Sequence, residues 1–371
     1  MKKIVYIVPT FYPESFGGAE KQTLLLTQSL KNKYEQKILS PSVNPKTRCR
    51  EKIGGIEVIR FRTKYLPYLG GRYFLSFLNW FLKLSFWLLI NRKDYDIIYI
   101  VHGRLHSIPA VLVGKLLKKK IFVKIGNGGK KFDLNRVLIK KIMGKICLKI
   151  LLKNVDFWIA ISQMIIKDLT KYKIKKNKIY YIPNGVEIKK FNFKKKKKID
   201  FIFFGRFASE KNLDFMIKTF AKMPDKYNFI LYLIGDGPLK SKLKKLIKSL
   251  KLTHKIFLLS NVKNISHYIK NSKFNISCSQ SEGMSNSLLE SSALGVPSIS
   301  SDVSGVNDII LHKKNGFIYK TNNQKELLNL LKYCILMNKK EYFNLSKNIY
   351  LRMKNYFCLK IISEKKQRIF N

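Results

Sequence analysis

Acidic residues are scarce in this chain of 371. Asp and Glu number 23 against 73 Lys and Arg, a formal net charge of +50. An imbalance of that size sets up a long-range field that favours anionic partners or surfaces. Arginine is scarce too, at 11 of the 73 cations. Arg is the residue suited to bidentate phosphate recognition, so a general bias toward lysine accounts for much of the charge without any function. Cysteine is confined to Cys49, Cys147, Cys278, Cys334 and Cys358. With no CxxC pair and an odd count, these argue against a disulfide framework and a zinc module, and they fit a reducing cytosol. Long apolar runs are also missing. The run Ile4–Val8 is stopped by Pro9 and Pro13, short of the about 7–15 residues of a secretory h-region. The stretch from Tyr73 to Ile90 is broken by Asn79 and Lys83, so it lacks the roughly 18–20 uninterrupted apolar residues of a spanning helix.

What remains is ordinary for a folded protein, with 46% apolar and 26% charged residues. A single core rarely extends past about 250–300 residues, so two domains are expected. Short apolar runs read as strands at Ile4–Val8, Gln36–Ser40, Ile56–Phe61, Ile97–Val101, Ile121–Ile125, Phe157–Ile161 and Lys178–Ile182. After the turn signal Pro183–Val186 and the solvated lysine run Lys194–Lys198, the rhythm restarts. Strands are expected at Ile199–Phe204, Phe229–Ile234, Ile256–Leu259, Phe274–Cys278, Ser298–Ser300 and Phe317–Tyr319. Helical spacing lies between most of them, as at Ala19–Leu30, Leu105–Leu117, Pro238–Leu250 and Lys325–Met337. Strands alternating with helices predict an α/β protein of two doubly wound, Rossmann-like halves facing a central cleft. Ligands of such sheets bind outside the carboxyl ends of the strands.

Chemistry is therefore sought in the loops that follow strands. The segment Ser281–Glu290 follows one strand and opens a helix, where Gly283 permits a sharp turn and free backbone N–H groups can meet a phosphate or a sugar hydroxyl. Glu282 and Glu290, with seven residues between them, bracket one ligand. The alternative is a solvated loop acid and an acid complementing the helix dipole. Gly205-Arg206 and Lys211 follow another strand and offer two cations converging on a diphosphate. Of these Arg206 is the more informative, because Arg is rare here. Gly235-Asp236-Gly237-Pro238 is a strand-to-helix turn with Pro at the first helical position. Gly17 and Gly18, ahead of Glu20, can hold N–H groups against an anion.

In this order and spacing, the residues resemble the retaining glycosyltransferases of family 4, which have the GT-B fold. The resemblance runs from Gly17-Gly18-x-Glu20 through Pro183–Val186, Gly205-Arg206-x4-Lys211, Gly235–Pro238 and Glu282-x7-Glu290 to Asn315-Gly316-Phe317. It implies an N-terminal acceptor-side domain over residues 1–183 and a nucleotide-sugar domain over 184–345. Residues 346–371 would be a C-terminal helix crossing back toward the N-terminal domain. It implies a hexosyl transfer from a nucleotide-diphosphate sugar to a glycan or lipid-linked acceptor in envelope polysaccharide assembly, with no metal and no other cofactor. Arg206 and Lys211 would neutralise the diphosphate, and Glu290 would bind the ribose. Glu282 and the amides of Gly283, Met284, Ser285 and Asn286 would hold the sugar. Gly17 and Gly18 would close on the diphosphate, and Asn261 and Val262 would lie near the base.

The sequence departs from this pattern at three places. The loop Lys124–Gly129 lacks the histidine expected near the reacting carbon, which leaves His102, with His106 nearby, as the candidate catalytic group beside Glu282. Ser260 stands where glycine is usual, and Asp308 where glutamate is common. Asp94-Tyr95-Asp96 matches the DxD of metal-dependent GT-A transferases, but it precedes a strand rather than following one and reads as strand-entry acids. The aromatic stretch Arg72–Lys93 and the lysine-bearing stretch Leu138–Lys153 suggest a peripheral protein on the anionic cytoplasmic face of the inner membrane. Two other readings are a charge-driven nucleic-acid-binding protein and a GT-B relative such as a phosphorylase or epimerase. The first lacks any nucleic-acid motif or focused basic stripe. The second shares the cleft, but the Glu-x7-Glu and Gly-Arg-x4-Lys motifs favour transfer. No specific nucleic-acid partner is expected.

Overall fold

The run that opens the chain is buried on both of its faces, as suits a central parallel strand. Ile4, Val5, Tyr6, Ile7 and Val8 are all nearly inaccessible. In the computed structural model, residues 1–66, 73–138, 141–189 and 197–371 are described. They form two units, Met1–Gly185 with Leu359–Asn371, and Val186–Cys358.

The first unit is built on an eight-stranded sheet. In chain order its strands are β1 (Lys3–Ile7), β2 (Glu35–Ser42), β3 (Arg50–Ile53), β4 (Ile56–Arg62), β5 (Ile97–Val101), β6 (Lys120–Ile125), β7 (Phe157–Ala160) and β8 (Ile179–Tyr181). Their spatial order is β3-β4-β2-β1-β5-β6-β7-β8. All pairs are parallel except β3 with β4, which meet antiparallel across Gly54-Gly55. On one face, Ile4, Tyr6 and Val8 pack with Leu26 and Leu30 of the helix Gly18–Leu30 and with Phe370 of the last helix, Leu359–Phe370. Phe370 sets its ring edge against Tyr34, Tyr99 and Phe122 at centroid distances of 5.8, 5.9 and 5.3 Å. The helices Phe74–Ile90, Ile108–Leu116 and Lys141–Asn154 connect the strands from β4 to β7.

The second unit holds β9 (Ile199–Phe204), β10 (Leu231–Ile234), β11 (Ile256–Leu259), β12 (Ser272–Ser277), β13 (Ser298–Ser301) and β14 (Phe317–Tyr319). They lie in the order β11-β10-β9-β12-β13-β14, and every pair is parallel. Its core centres on Phe201, Phe220, Phe229, Phe274 and Phe317. Truncating one such ring to alanine costs about 3–5 kcal/mol, from lost transfer energy plus the cavity left behind.

Most expected strands are found within two residues of their expected ends. The edge strand β3 was not anticipated, because Arg-Glu-Lys-Ile lacks an apolar run. The chain returns to the first unit at Leu359 rather than at residue 346. Ser346 donates its hydroxyl to the Gly295 carbonyl, and Tyr342 donates to the Lys273 carbonyl. Those bonds keep the helix Lys339–Arg352 in the second unit. Most of the lysine run expected as a linker lies outside the described residues, as do Arg72 and Lys140.

Candidate active site

Open parallel sheets bind ligands where the strand order reverses, beyond the carboxyl ends of the strands. In the second sheet that point lies between β9 and β12. The loop after β9 carries Arg206 and Lys211, and the loop after β12 carries Glu282. The two loops are tied together, for Gln280 N donates to Glu210 O at 2.9 Å. Lys211 Nζ forms an ion pair with Glu282, whose Oε1 also accepts from the Ser279 hydroxyl at 2.8 Å. Arg206 is exposed, and its guanidinium has no hydrogen bond or ion pair among the described residues. The helix Asn286–Ala293 starts immediately after Ser285 and carries the half-buried Glu290.

A third loop, after β10, presses against the first. A Cβ on Gly235 would sit 1.9 Å from the Gly205 carbonyl oxygen, so only glycine fits that approach. Asp236 accepts from Lys240 Nζ at 2.9 Å and from Gly237 N at 2.7 Å. These bonds and the Lys240 charge pull its carboxyl below the usual range. Ser260, after β11, donates its hydroxyl to Gly235 O at 2.9 Å. A serine is thus accommodated where glycine was expected. Asn261 is exposed with a φ of 54°, and Val262 packs against the small cluster around Ile234.

In the first sheet the order reverses between β1 and β5. The loop after β1 presents Gly17 and Gly18 at the start of a helix, and buried Glu20 accepts from Thr10 Oγ1 at 2.5 Å. After β5 comes His102, with a φ of 68° that is uncommon for a residue bearing a side chain. Its Nδ1 lies 2.9 Å from Asp133 Oδ2. Asp133 is wholly buried and also accepts from Arg104 Nε at 2.9 Å, Arg104 Nη2 at 2.7 Å and Gly126 N at 2.8 Å. Burial alone would raise its carboxyl, but the charges of His102 and Arg104 and the donated hydrogen bonds outweigh burial and hold it well below the usual range. The imidazole lies close over Gly126, where a Cβ would meet its Cε1 at 2.1 Å. With Nδ1 committed to the carboxylate, Nε2 is left without a partner among the described residues.

Two family models match the chain over adjoining stretches. The model described as Glycosyltransferase Family 4 covers residues 16–190, and that described as Glycosyl transferases group 1 covers residues 186–352. The chain is a group 1 glycosyltransferase. It is 26% identical to an uncharacterized glycosyltransferase of Haemophilus influenzae over 98% of this chain and 99% of that one. It is 26% identical to the UDP-Gal:alpha-D-GlcNAc-diphosphoundecaprenol alpha-1,3-galactosyltransferase of Escherichia coli over 67% of this chain and 68% of that one. Anabaena HepE in complex with UDP-glucose superposes with a TM-score of 0.79 at 15% identity, over 100% of this chain and 99% of that chain. The two predominantly parallel sheets are those of the GT-B fold.

The glycosyltransferase brings Arg206, Lys211, Glu282 and Gly283 to one end of the second sheet. The Met284 side chain is buried, which leaves only its backbone on offer, and Ser285 spends its hydroxyl on Ser287 at 2.9 Å. His106 is structural. Its Nε2 lies 3.0 Å from Val101 O, and burial, reinforced by the His102 and Arg104 charges, pushes it down to about 3. Asp94 pairs with Lys37 at 3.1 Å, and Asp96 accepts from Lys3 N at 2.9 Å. Both are strand-entry acids, as expected. The sequence reading missed Asp133 and Ser279. Asp133 stands 31 residues from His102, and nothing in the intervening pattern links the two. Ser279 had a readable signal, lying three residues before Glu282 at a strand end. Asn184 and Gly185 are held inside the first unit by Lys124 Nζ at 2.8 Å and by the Gln22 side chain at 2.9 and 3.1 Å.

Proposed function

We propose that this glycosyltransferase moves a sugar from a nucleotide-diphosphate donor to a lipid-linked glycan, with retention of anomeric configuration, in the assembly of an envelope polysaccharide. The observation that carries the reading is the convergence of Arg206 and Lys211 with Glu282 and the start of the helix Asn286–Ala293 at the switch point of the second sheet. The likeness to a transferase that uses a diphosphoundecaprenol acceptor supports the acceptor class.

The roles follow from charge. Cleavage of the bond between the anomeric carbon and the diphosphate leaves negative charge on the departing oxygen. Arg206, Lys211 and the N–H groups of residues 283–286 stabilise that charge; removing one such preorganised donor costs on the order of a hundredfold in turnover. Glu282 orients the sugar hydroxyls and Glu290 the ribose. Asn261 and Val262 border the base. The acceptor hydroxyl forms the new bond from the face the diphosphate leaves, and its proton passes to the departing diphosphate oxygen. In the first unit His102 is assigned to the acceptor side, with Nε2 available and Asp133 fixing the ring. No metal takes part in this scheme. The enzyme works as a peripheral protein at the cytoplasmic face of the membrane.

Calorimetric titration with UDP, GDP, ADP, CMP and dTDP in chelator tests this. One diphosphate binds the wild type and is lost from Lys211→Ala. Binding of none by the folded protein overturns the reading, and binding only after a divalent cation is added overturns its metal-free part.

A further inference from the structure

The helices Phe74–Ile90, Ile108–Leu116 and Lys141–Asn154 carry large apolar side chains on their outer surfaces. In the first of them Phe77, Trp80, Leu84 and Leu88 are the buried apolar residues. At the same spacing on its other side runs a second apolar stripe, with Leu75 76%, Leu82 59% and Phe86 67% exposed. A helix packed on one side ordinarily shows water a polar stripe. Leu116 of the second helix and Ile146 of the third continue the pattern at 71% and 49% exposure.

The charge of this surface has one sign. None of the three helices contains an Asp or a Glu, whereas Lys83, Lys115, Lys145, Lys149 and Lys153 are spread among their apolar residues. Two shallow hollows combine both chemistries. One is lined by Phe86, Leu89 and Ile90 with Arg92 and Lys93, and its one acid, Asp94, is paired with Lys37. The other is lined by Leu138, Leu148 and Leu152 with Lys145, Lys149 and Lys153. Among the described residues no helix is long and apolar enough to cross a membrane.

We propose that the outer face of these three helices is a docking surface for an anionic lipid bilayer. The ammonium groups meet headgroup phosphates, while the leucine and phenylalanine side chains enter the boundary between headgroups and acyl chains. Two copies of the chain would not share this face, because like charges would oppose each other across it. Apolar and cationic side chains interleaved over three helices match a layer of anions above a layer of hydrocarbon. The inference deepens the proposed function by naming the surface through which a lipid-linked acceptor is approached. It is tested without donor or acceptor, so the docking surface and the sugar-transfer reading can fail separately.

The test is flotation of the full chain with vesicles of phosphatidylcholine, and of phosphatidylcholine mixed with phosphatidylglycerol, at low and raised salt. Wild type binds the anionic vesicles and is released by salt. Leu82→Gln with Phe86→Gln lowers partitioning on the order of tenfold or more. Lys145→Gln with Lys149→Gln and Lys153→Gln lowers it on the order of a hundredfold at low salt. All five side chains are exposed, and thermal melts confirm that both variants fold. Equal binding to both vesicle types, binding to neither, or wild-type binding by both variants overturns the proposal.

Discussion

Ser279 donates its hydroxyl to Glu282 Oε1 at 2.8 Å from a position without solvent exposure. Lys211 Nζ holds the same carboxylate oxygen from the loop after β9. The two partners differ in what a ligand does to them. A diphosphate competes for the ammonium, whereas the buried hydroxyl keeps its bond and holds the carboxylate where a sugar would meet it. Ser279→Ala should therefore weaken binding of the nucleotide sugar about three- to tenfold, the worth of one neutral hydrogen bond, and leave the affinity for the matching nucleoside diphosphate unchanged. Calorimetry with both ligands separates this from a merely structural role, which would shift the two affinities together.

His102 and Asp133 make a second pair with separable duties. Asparagine tolerates the left-handed backbone at residue 102, so His102→Asn should fold with a stability within about 1 kcal/mol of wild type and lose on the order of a hundredfold in turnover. Asp133→Asn should cost about 3–5 kcal/mol, because the largely buried Arg104 keeps its charge and loses its counterion. The pH dependence has a defined sign. The Asp133 carboxyl is depressed in the folded state, so its stabilisation is complete above the unfolded value of about 3.9 and is lost as pH falls below it. Urea unfolding from pH 7 to 3 should show the gap between wild type and Asp133→Asn narrowing only at the acid end.

Periodicity revealed the sheets because both are almost wholly parallel and buried, so strands such as Ile199–Phe204 stand out as apolar runs between polar turns. It missed the helices Gln163–Lys171 and Ile265–Asn271, which are short and half polar, and β3, whose one apolar residue sits at its turn. At the site, Arg206, Lys211 and Glu282 were legible because each lies in the loop that follows a strand. Asp133 was not, because its partners come from the two loops after β5 and β6 and only the fold brings those together. The single-residue exposures that define the outer helix surface were equally hidden. The sequence showed an excess of aromatic and apolar side chains over 73–90 but could not say which of them the sheet leaves uncovered.

The cysteines should react in a fixed order. Cys49 is exposed, whereas Cys278 and Cys334 are fully buried. Burial pushes the Cys278 thiol up to about 12, against a smaller opposing effect from its hydrogen bond to Tyr319. The thiolate is the reactive form, so iodoacetamide at neutral pH should label Cys49 within the folded chain and reach Cys278 and Cys334 only in denaturant. Peptide mass mapping over a time course reads the order, and early labelling of Cys278 would mean that the Glu282 loop opens readily.

Two lysines inside the first unit set a further pH dependence. Lys124 Nζ donates to Asn184 Oδ1 at 2.8 Å, and Lys366 Nζ, on the last helix, donates to the Tyr99 hydroxyl at 2.9 Å. Both are buried. Burial takes Lys124 down to about 8, and burial together with the Lys124 charge takes Lys366 well below its ordinary value. For a base whose folded value is depressed, the unfolded chain binds more protons between the two values, so stability rises with pH across that window. For Lys124 the window runs from about pH 8 to about 10.4, and the gain is on the order of 3 kcal/mol. Neutralising the surface lysines raises stability over the same range, so the informative quantity is the difference between wild type and Lys124→Met. The variant should be the more stable protein at pH 7, since it no longer buries an ammonium that has no counterion among the described residues. Its advantage should shrink steadily as urea midpoints are followed from pH 8 to 10. An advantage that is independent of pH would mean that Lys124 is already neutral at pH 7, and that its effect comes from packing alone.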